Sequence, residues 1–177
     1  MTCSVFVGAS LDGFIARLDG SYDFLTAGGE ADGAVNGYDA FFATVDAVLM
    51  GRATYEVVLP FPAWPYGRTP VFVLSHRELR PAPAGAVVER IEGEPVSVHG
   101  ELSRRGFRHL YVDGGRTIQS FLKRGLIDRL VVTRVPVLVG TGIPLFGPLD
   151  ADVALRHVAT RVIAGRAVQS EYAVIRP

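Results

Sequence analysis

Four short segments of this sequence carry residue types suited to holding a phosphorylated ligand. Gly51-Arg52-Ala53-Thr54 joins a glycine, which lets the backbone turn sharply and approach a ligand, to a cation and a hydroxyl. Taken alone it reads equally as a glycine turn with an N-capping threonine. Leu74-Ser75-His76-Arg77 sets a hydroxyl, an imidazole and a guanidinium in a row. That is a cradle for a phosphomonoester or, on its own, a solvated loop. Asp113-Gly114-Gly115-Arg116-Thr117-Ile118 places paired glycines where backbone N–H groups can face a pyrophosphate. It lacks the G-x-G-x-x-G spacing and supports no Rossmann-type reading. Gly8-Ala9-Ser10-Leu11-Asp12-Gly13-Phe14-Ile15-Ala16 combines a Ser/Asp turn with an apolar pair that could wall a flat aromatic ring. Asp12 is the candidate proton donor or substrate anchor, against a plain turn role for Asp12-Gly13.

These segments need elements to position them. Runs rich in Val, Ile and Phe predict strands at Cys3–Ala9, Ala47–Met50, Val71–Leu74, Ala86–Ile91, His109–Val112, Leu130–Leu138, Leu155–Thr160 and Val168–Ile175. Several are continuously apolar, as in strands covered on both faces. Helical spacing predicts a helix capped by Asn36, with Tyr38, Phe41, Phe42 and Val45 on one side. Thr117–Arg124 sets Ile118, Phe121 and Leu122 at i, i+3 and i+4. Lys123 and Arg124 lie near its negative end, and Gly125 can take the left-handed cap. Shorter helices are expected at Thr54–Leu59 and Glu101–Arg105. Ala164–Gly165 marks a terminal hairpin, with 130–138 as its neighbour. Strand and helix alternate over the first two-thirds, and strands alone finish the chain. The expected fold is α/β: a mostly parallel central sheet of about eight strands, flanked by helices and finished by an antiparallel hairpin. All four segments then fall at carboxyl ends of strands, where such sheets collect ligands.

A length of 177 residues fits one domain, taken as 1–177. Eighteen basic residues balance eighteen acidic ones, so no net field attracts nucleic acid or an anionic membrane. The one cysteine, Cys3, lies in an apolar run and reads as a buried hydrophobe. No Cys/His cluster has metal-ligand spacing, and no metal is expected. The N-terminus lacks a signal-peptide pattern, and no apolar run approaches the ~20 residues that span a bilayer. The cytoplasm is the expected compartment. His99, His109 and His157 sit within or beside apolar strands and read as core or edge histidines. Trp64 and Tyr66, in a proline-rich loop, either cap a ligand or pin the loop to the core.

Ser10-Leu11-Asp12-Gly13-Phe14-Ile15-Ala16 after the first strand resembles the start of the riboflavin-pathway reductase family, the RibD C-terminal-like domains. Met50-Gly51-Arg52-Ala53-Thr54-Tyr55-Glu56 is similar to a Gly-Arg-x-Thr turn that this family shares with dihydrofolate reductase. Val112–Gly115 with Arg116–Leu122 resembles the glycine-pair junction of both. Leu130–Thr133, then Gly140–Phe146, resembles the end of the family's domain. The resemblance implies a dihydrofolate reductase-like three-layer fold. It implies hydride transfer from NADPH to a small planar heterocycle, pyrimidine- or pterin-like. It places Gly51, Arg52, Ala53 and Thr54 on the cofactor's phosphates, with Arg52 near the 2′-phosphate. Leu74, Ser75, His76 and Arg77 would surround that 2′-phosphate. Gly114, Gly115, Arg116, Thr117 and Ile118 would bind the pyrophosphate, with a cis peptide within Asp113–Gly115. Gly8, Ala9, Ser10, Ile15 and Ala16 would lie along nicotinamide and ribose, and Thr133 would face the junction of cofactor and substrate. A homodimer built on the C-terminal part of the sheet is also implied.

Two departures narrow this. Dihydrofolate reductases carry an acid in the first helix; the matching region here is Val35 and Asn36, and Asp32 and Asp39 fall out of register. Folate reduction is therefore not expected. The bifunctional pathway enzymes carry a zinc deaminase before the reductase, whereas this chain opens at the first strand with a single cysteine, so only a reductase half is expected. Two further readings stay open: an NADP(H)-binding module without turnover, and a structural dimeric domain.

Overall fold

Ala47-Val48-Leu49-Met50 offers no polar side chain to water, and all four residues are buried, alternating between two separate cores. That is why the run is continuous: both faces of its strand are covered. The computed structural model describes residues 1–26 and 36–176. In chain order its elements are β1 (Thr2–Ser10), β2 (Phe14–Ala16), α1 (Asp23–Thr26), α2 (Tyr38–Phe42), β3 (Ala47–Gly51), α3 (Arg52–Val58), β4 (Val71–Leu74) and β5 (Val88–Ile91). There follow α4 (Pro95–Arg104), β6 (His109–Asp113), α5 (Gly115–Lys123), β7 (Arg129–Val135), β8 (Ile143–Pro144), β9 (Leu155–Ile163) and β10 (Ala167–Val174).

Eight strands form one sheet in the order β5-β4-β3-β6-β1-β7-β10-β9. The first six in that order pair in parallel, and β10 is antiparallel to both β7 and β9. The α/β sheet with its closing hairpin is therefore present. On one face, Val98 and Leu102 of α4 and Ile118 and Phe121 of α5 pack on Val5, Leu49, Phe72, Leu110 and Val112. On the other, Phe41 and Tyr55 join Val48, Met50, Val71, Val73 and Tyr111 beneath α2 and α3. Each fully buried Ile or Phe of α5 contributes roughly 2 kcal/mol.

Boundaries moved where local chemistry demands it. β7 stops at Val135 because Pro136 has no N–H to continue the ladder. β5 begins at Val88, since Ala86 N–H closes a turn onto Pro83 O around Gly85. α4 begins at Pro95, six residues before the helix expected at Glu101. Val96, Val98 and Gly100 are poor helix formers that hide it, while Pro95 at N1 is the signal for it. Both α4 and α5 end as Schellman motifs. Gly125 (φ 63) donates to Leu122 O and Leu126 N–H to Phe121 O, as the sequence expects for Gly125. The α2 cap differs from expectation. Gly37 at φ 77 is the N-cap, and Asn36 Oδ1 instead accepts from Tyr38 N–H at 2.8 Å. His99 lies on α4 rather than near a strand. The two-stranded sheet of β2 and β8 was not expected at all. Val35 and Asp32 lie outside the described residues; Asp39 is exposed. Among the described residues, no helix is long and apolar enough to cross a membrane.

Candidate functional site

Parallel strands put their carboxyl ends at one edge, and the register brings the four segments there together. Met50 pairs with Asp113, Gly51 with Leu74, and Gly8 with Thr133. The turns after β3 and β6 clasp each other. A Cβ at Gly114 would collide with the side chain of Thr54, and one at Gly51 would sit 3.2 Å from Thr117 Oγ1. Gly114 therefore makes way for Thr54, and a side chain at Gly51 would press on Thr117. Gly114 also takes φ 85 and ψ 132, a conformation that strongly favours glycine. Neither α3 nor α5 has a side-chain cap at its N-terminus. The nine-residue α5 thus leaves first-turn N–H groups of Gly115, Arg116 and Thr117 for a ligand or water.

Above α5 lies the small sheet of β2 and β8, in which Phe14 pairs with Pro144 and Ala16 with Ile143. Ile15 Cδ1 would stand 2.7 Å from a Cβ at Gly115, so Gly115 is also where that sheet presses down. Gln119 Nε2 donates to Pro144 O at 2.9 Å, fixing the sheet to α5. On the far side of β1, the Leu25 side chain of α1 covers Gly8 at 3.3 Å from a would-be Cβ. The candidate cleft lies where β1, the two glycine turns and α1 come together.

Several residues named from the sequence turn out differently engaged. Asp12 is engaged as a hydrogen-bond acceptor between two loops. Its carboxylate accepts from Ser10 Oγ (2.6 Å), Gly140 N–H (2.7 Å) and Val139 N–H (3.1 Å), tying the loop after β1 to the loop after β7. Those bonds, the Ser10 one foremost, lower its pKa to about 2. It carries no proton at neutral pH, and its oxygens are taken. Ser10 is buried, and its hydroxyl also accepts from Phe14 N–H at 2.9 Å, so it holds the turn and has no hydroxyl free for a cofactor. Ile118 cannot reach a pyrophosphate. Its side chain is in the core and its amide donates to Gly114 O. The peptide bonds of Asp113–Gly115 are trans; no cis bond occurs among the described residues, and Gly114's positive φ makes the turn. Arg52 is ion-paired with Glu56 along α3, and His76 Nδ1 lies 3.1 Å from Glu92 Oε2. Ser75 Oγ accepts from Arg77 N–H at 3.0 Å in a tight turn, leaving the exposed Arg77 side chain outside the ion pairs among the described residues. Ala9 and Thr117 are buried, while Gly8, Ile15, Ala16, Ala53, Thr54 and Arg116 keep some exposure at the rim.

Asp113 gains importance. Burial pushes its pKa up to about 6, despite the Gly114 N–H donated to its Oδ1 at 2.7 Å. Its charge and their own burial raise the pKa values of Tyr38, Tyr66 and Tyr111, so these hydroxyls stay protonated. Tyr66 and Trp64 pack edge-on at 5.2 Å inside that aromatic core and pin their loop to it. His109 is structural: Nδ1 meets Thr44 O at 2.9 Å and Nε2 meets the buried Ser4 Oγ at 2.8 Å. Sequence reasoning missed Gln169, which bonds Thr133, and Arg161, which bonds Gln169; a buried glutamine in a terminal strand has no local signature.

The model of the RibD C-terminal domain matches residues 2–168. The chain belongs to the RibD C-terminal domain family. A RibD C-terminal domain is reductase-like, and solved relatives agree with that assignment. A Shewanella sp. PV-4 structure named for riboflavin biosynthesis is 38% identical, covers 99% of this chain and 100% of its own, and superposes with a TM-score of 0.91. The Thermotoga maritima diaminohydroxyphosphoribosylaminopyrimidine deaminase/5-amino-6-(5-phosphoribosylamino)uracil reductase is 16% identical with a TM-score of 0.76. It matches 98% of this chain and 56% of its own length. Dihydrofolate reductase from Enterococcus faecalis, complexed with NADP(H), is 16% identical over 98% of this chain and 96% of its own, with a TM-score of 0.61. The last two likenesses show the dihydrofolate reductase-like fold.

Proposed function

We propose that this RibD C-terminal domain, taken as one domain over 1–177, is an NADPH-dependent reductase. It passes a hydride to a planar heterocycle of pyrimidine or pterin kind, related to 5-amino-6-(5-phosphoribosylamino)uracil. The observation that carries this reading is the mutual clasp of the two glycine turns beside the uncapped start of α5. That arrangement suits a pyrophosphate, and the turn that follows Leu74 lies next to it with Arg77 free to meet a 2′-phosphate. NADPH, when bound, supplies the hydride. Gly8, with the Leu25 side chain over it, lies on β1 beside the cofactor turns, and Ile15 offers an apolar wall. Asp113 takes the proton-donating role in place of Asp12, because desolvation raises its pKa to about 6, closer to neutral pH than an ordinary carboxyl. Two copies of the chain pair through the C-terminal part of the sheet, and the enzyme works in the cytoplasm.

Thermal melting with NADPH, with NADH and for Arg77→Ala tests the cofactor reading. Ligand at 100 times its Kd adds about 2.7 kcal/mol to stability. The expected rise in Tm is largest for NADPH and shrinks with NADH and in the variant. Absence of any rise with either nucleotide sinks the reductase reading.

A further inference from the structure

Gln169 is a buried carboxamide, 4% exposed, standing opposite Thr133 in the β7–β10 register. Its two ends are told apart by their partners. Arg161 of β9 donates Nε–H to Gln169 Oε1 at 2.8 Å, and a guanidinium can only donate. The carboxamide oxygen therefore faces Arg161. Its NH2 group faces Asn36 O at 3.0 Å and Thr133 Oγ1 at 2.8 Å. An NH2 group also only donates, so Thr133 Oγ1 accepts there and must direct its own proton elsewhere. Among the described residues it meets no acceptor.

The arrangement is fixed from outside as well. Arg161 also donates to Asn36 O at 2.6 Å, and any Cβ at Gly37 would collide with its guanidinium. Gly37 is thus required twice, for its φ of 77 and for the passage of this arginine. Thr133 itself is only half-buried and pairs with Gly8 of β1.

We propose that Arg161 and Gln169 are positioning residues that hold the Thr133 hydroxyl as a hydrogen-bond donor toward the cleft. The cleft thereby selects a heterocycle presenting a ring carbonyl or imine nitrogen, and rejects an amino group, at that point. This rests on the cleft beside Gly8 and Thr133 being the substrate site. Two donors facing each other in a dehydrated cleft leave both unpaired, which is how a polar site discriminates strongly.

The test uses a matched pair of probes with NADP⁺, which has no hydride to give, at saturation. One is 5-amino-6-(5-phosphoribosylamino)uracil; the other carries an amino group in place of the carbonyl between its two ring nitrogens. Calorimetry should show the parent protein binding the carbonyl compound at least about tenfold tighter. Gln169→Glu keeps the shape but turns a donor into an acceptor. Thr133 then donates to the new carboxylate and can accept from the ligand. The preference should move toward the amino compound by at least about tenfold, with NADPH affinity retained. Thr133→Val should erase the preference. Should Gln169→Glu fail to fold, Arg161→Met frees the carboxamide to turn over and should shrink the preference. Equal binding of both probes, or one preference shared by parent and variants, overturns the proposal and leaves the substrate site standing. Failure of both probes to bind the NADP⁺-loaded protein overturns the substrate reading and this proposal with it.

Discussion

Two carboxylates near the cleft sit in opposite environments, and their chemistry follows. Asp12 is exposed and wrapped by donors, so it stays ionised; Asp113 is half-buried and desolvated with a single backbone donor, so it holds its proton to higher pH. Its folded-state value of about 6 lies above the ordinary 3.8. The native state therefore binds the proton more tightly than the unfolded chain. The stability linked to it is complete below the ordinary value and is lost as pH rises through about 6. Asp113→Asn should abolish that slope and make the variant the more stable protein, relative to its parent, at pH 7.5 than at pH 4.5. Its turnover should fall about 10²-fold or more if Asp113 gives the proton. Parallel denaturant titrations at the two pH values, with rates on the same samples, decide this. An unchanged slope removes Asp113 as a titrating group, and unchanged turnover removes it as the donor.

At the scale of elements, the long apolar strands were legible because burial on both faces writes itself as an unbroken run, as in Val71–Leu74, which matches to the residue. The glycine turns were legible as types but not as a pair, since Gly51 answers Thr117 and Gly114 answers Thr54 only through the β3–β6 pairing. The sheet of β2 and β8 was illegible. Ile143-Pro144 is two residues long, and its partner lies more than a hundred residues earlier. The same distance hid Asp12's work, because its acceptor bonds run to Val139 and Gly140. Asp12 fastens two loops that both lie over α5, so Asp12→Asn should loosen them together. Charge-assisted bonds become neutral ones, about half as strong. Amide exchange at Val139 and Gly140 should speed up, and NADPH should bind several-fold more weakly. The carboxylate's low pKa means this fastening weakens in the parent only as pH falls toward about 2. Unchanged exchange at those two amides would show that the loops hold without it.

For the whole molecule, the sheet is finished at one end and unfinished at the other. Six parallel strands lie between two helical layers, but β9 is exposed along nearly its entire length, with Leu155, Val158 and Val162 between 41% and 65% accessible. A groove of about 520 Å³ runs over this end, lined by Leu130, Val132, Phe146, Leu155, Val168 and Tyr172. Val162 pairs with Val168, and Val168 with Arg134, so this one face of β9, β10 and β7 carries the apolar residues together. A lone monomer would leave that face wet, and a long bare edge strand invites pairing. A second copy meeting the face would bury it symmetrically; stable interfaces take about 800 Å² per partner. Sedimentation at micromolar concentration should therefore report a dimer, and Val168→Asp, which puts a charge at the middle of the face, should report a monomer. The cleft lies on the far side of β7, so NADPH should still raise the variant's Tm. A parent that sediments as a monomer, or a variant that stays dimeric, would move the interface away from this end of the sheet.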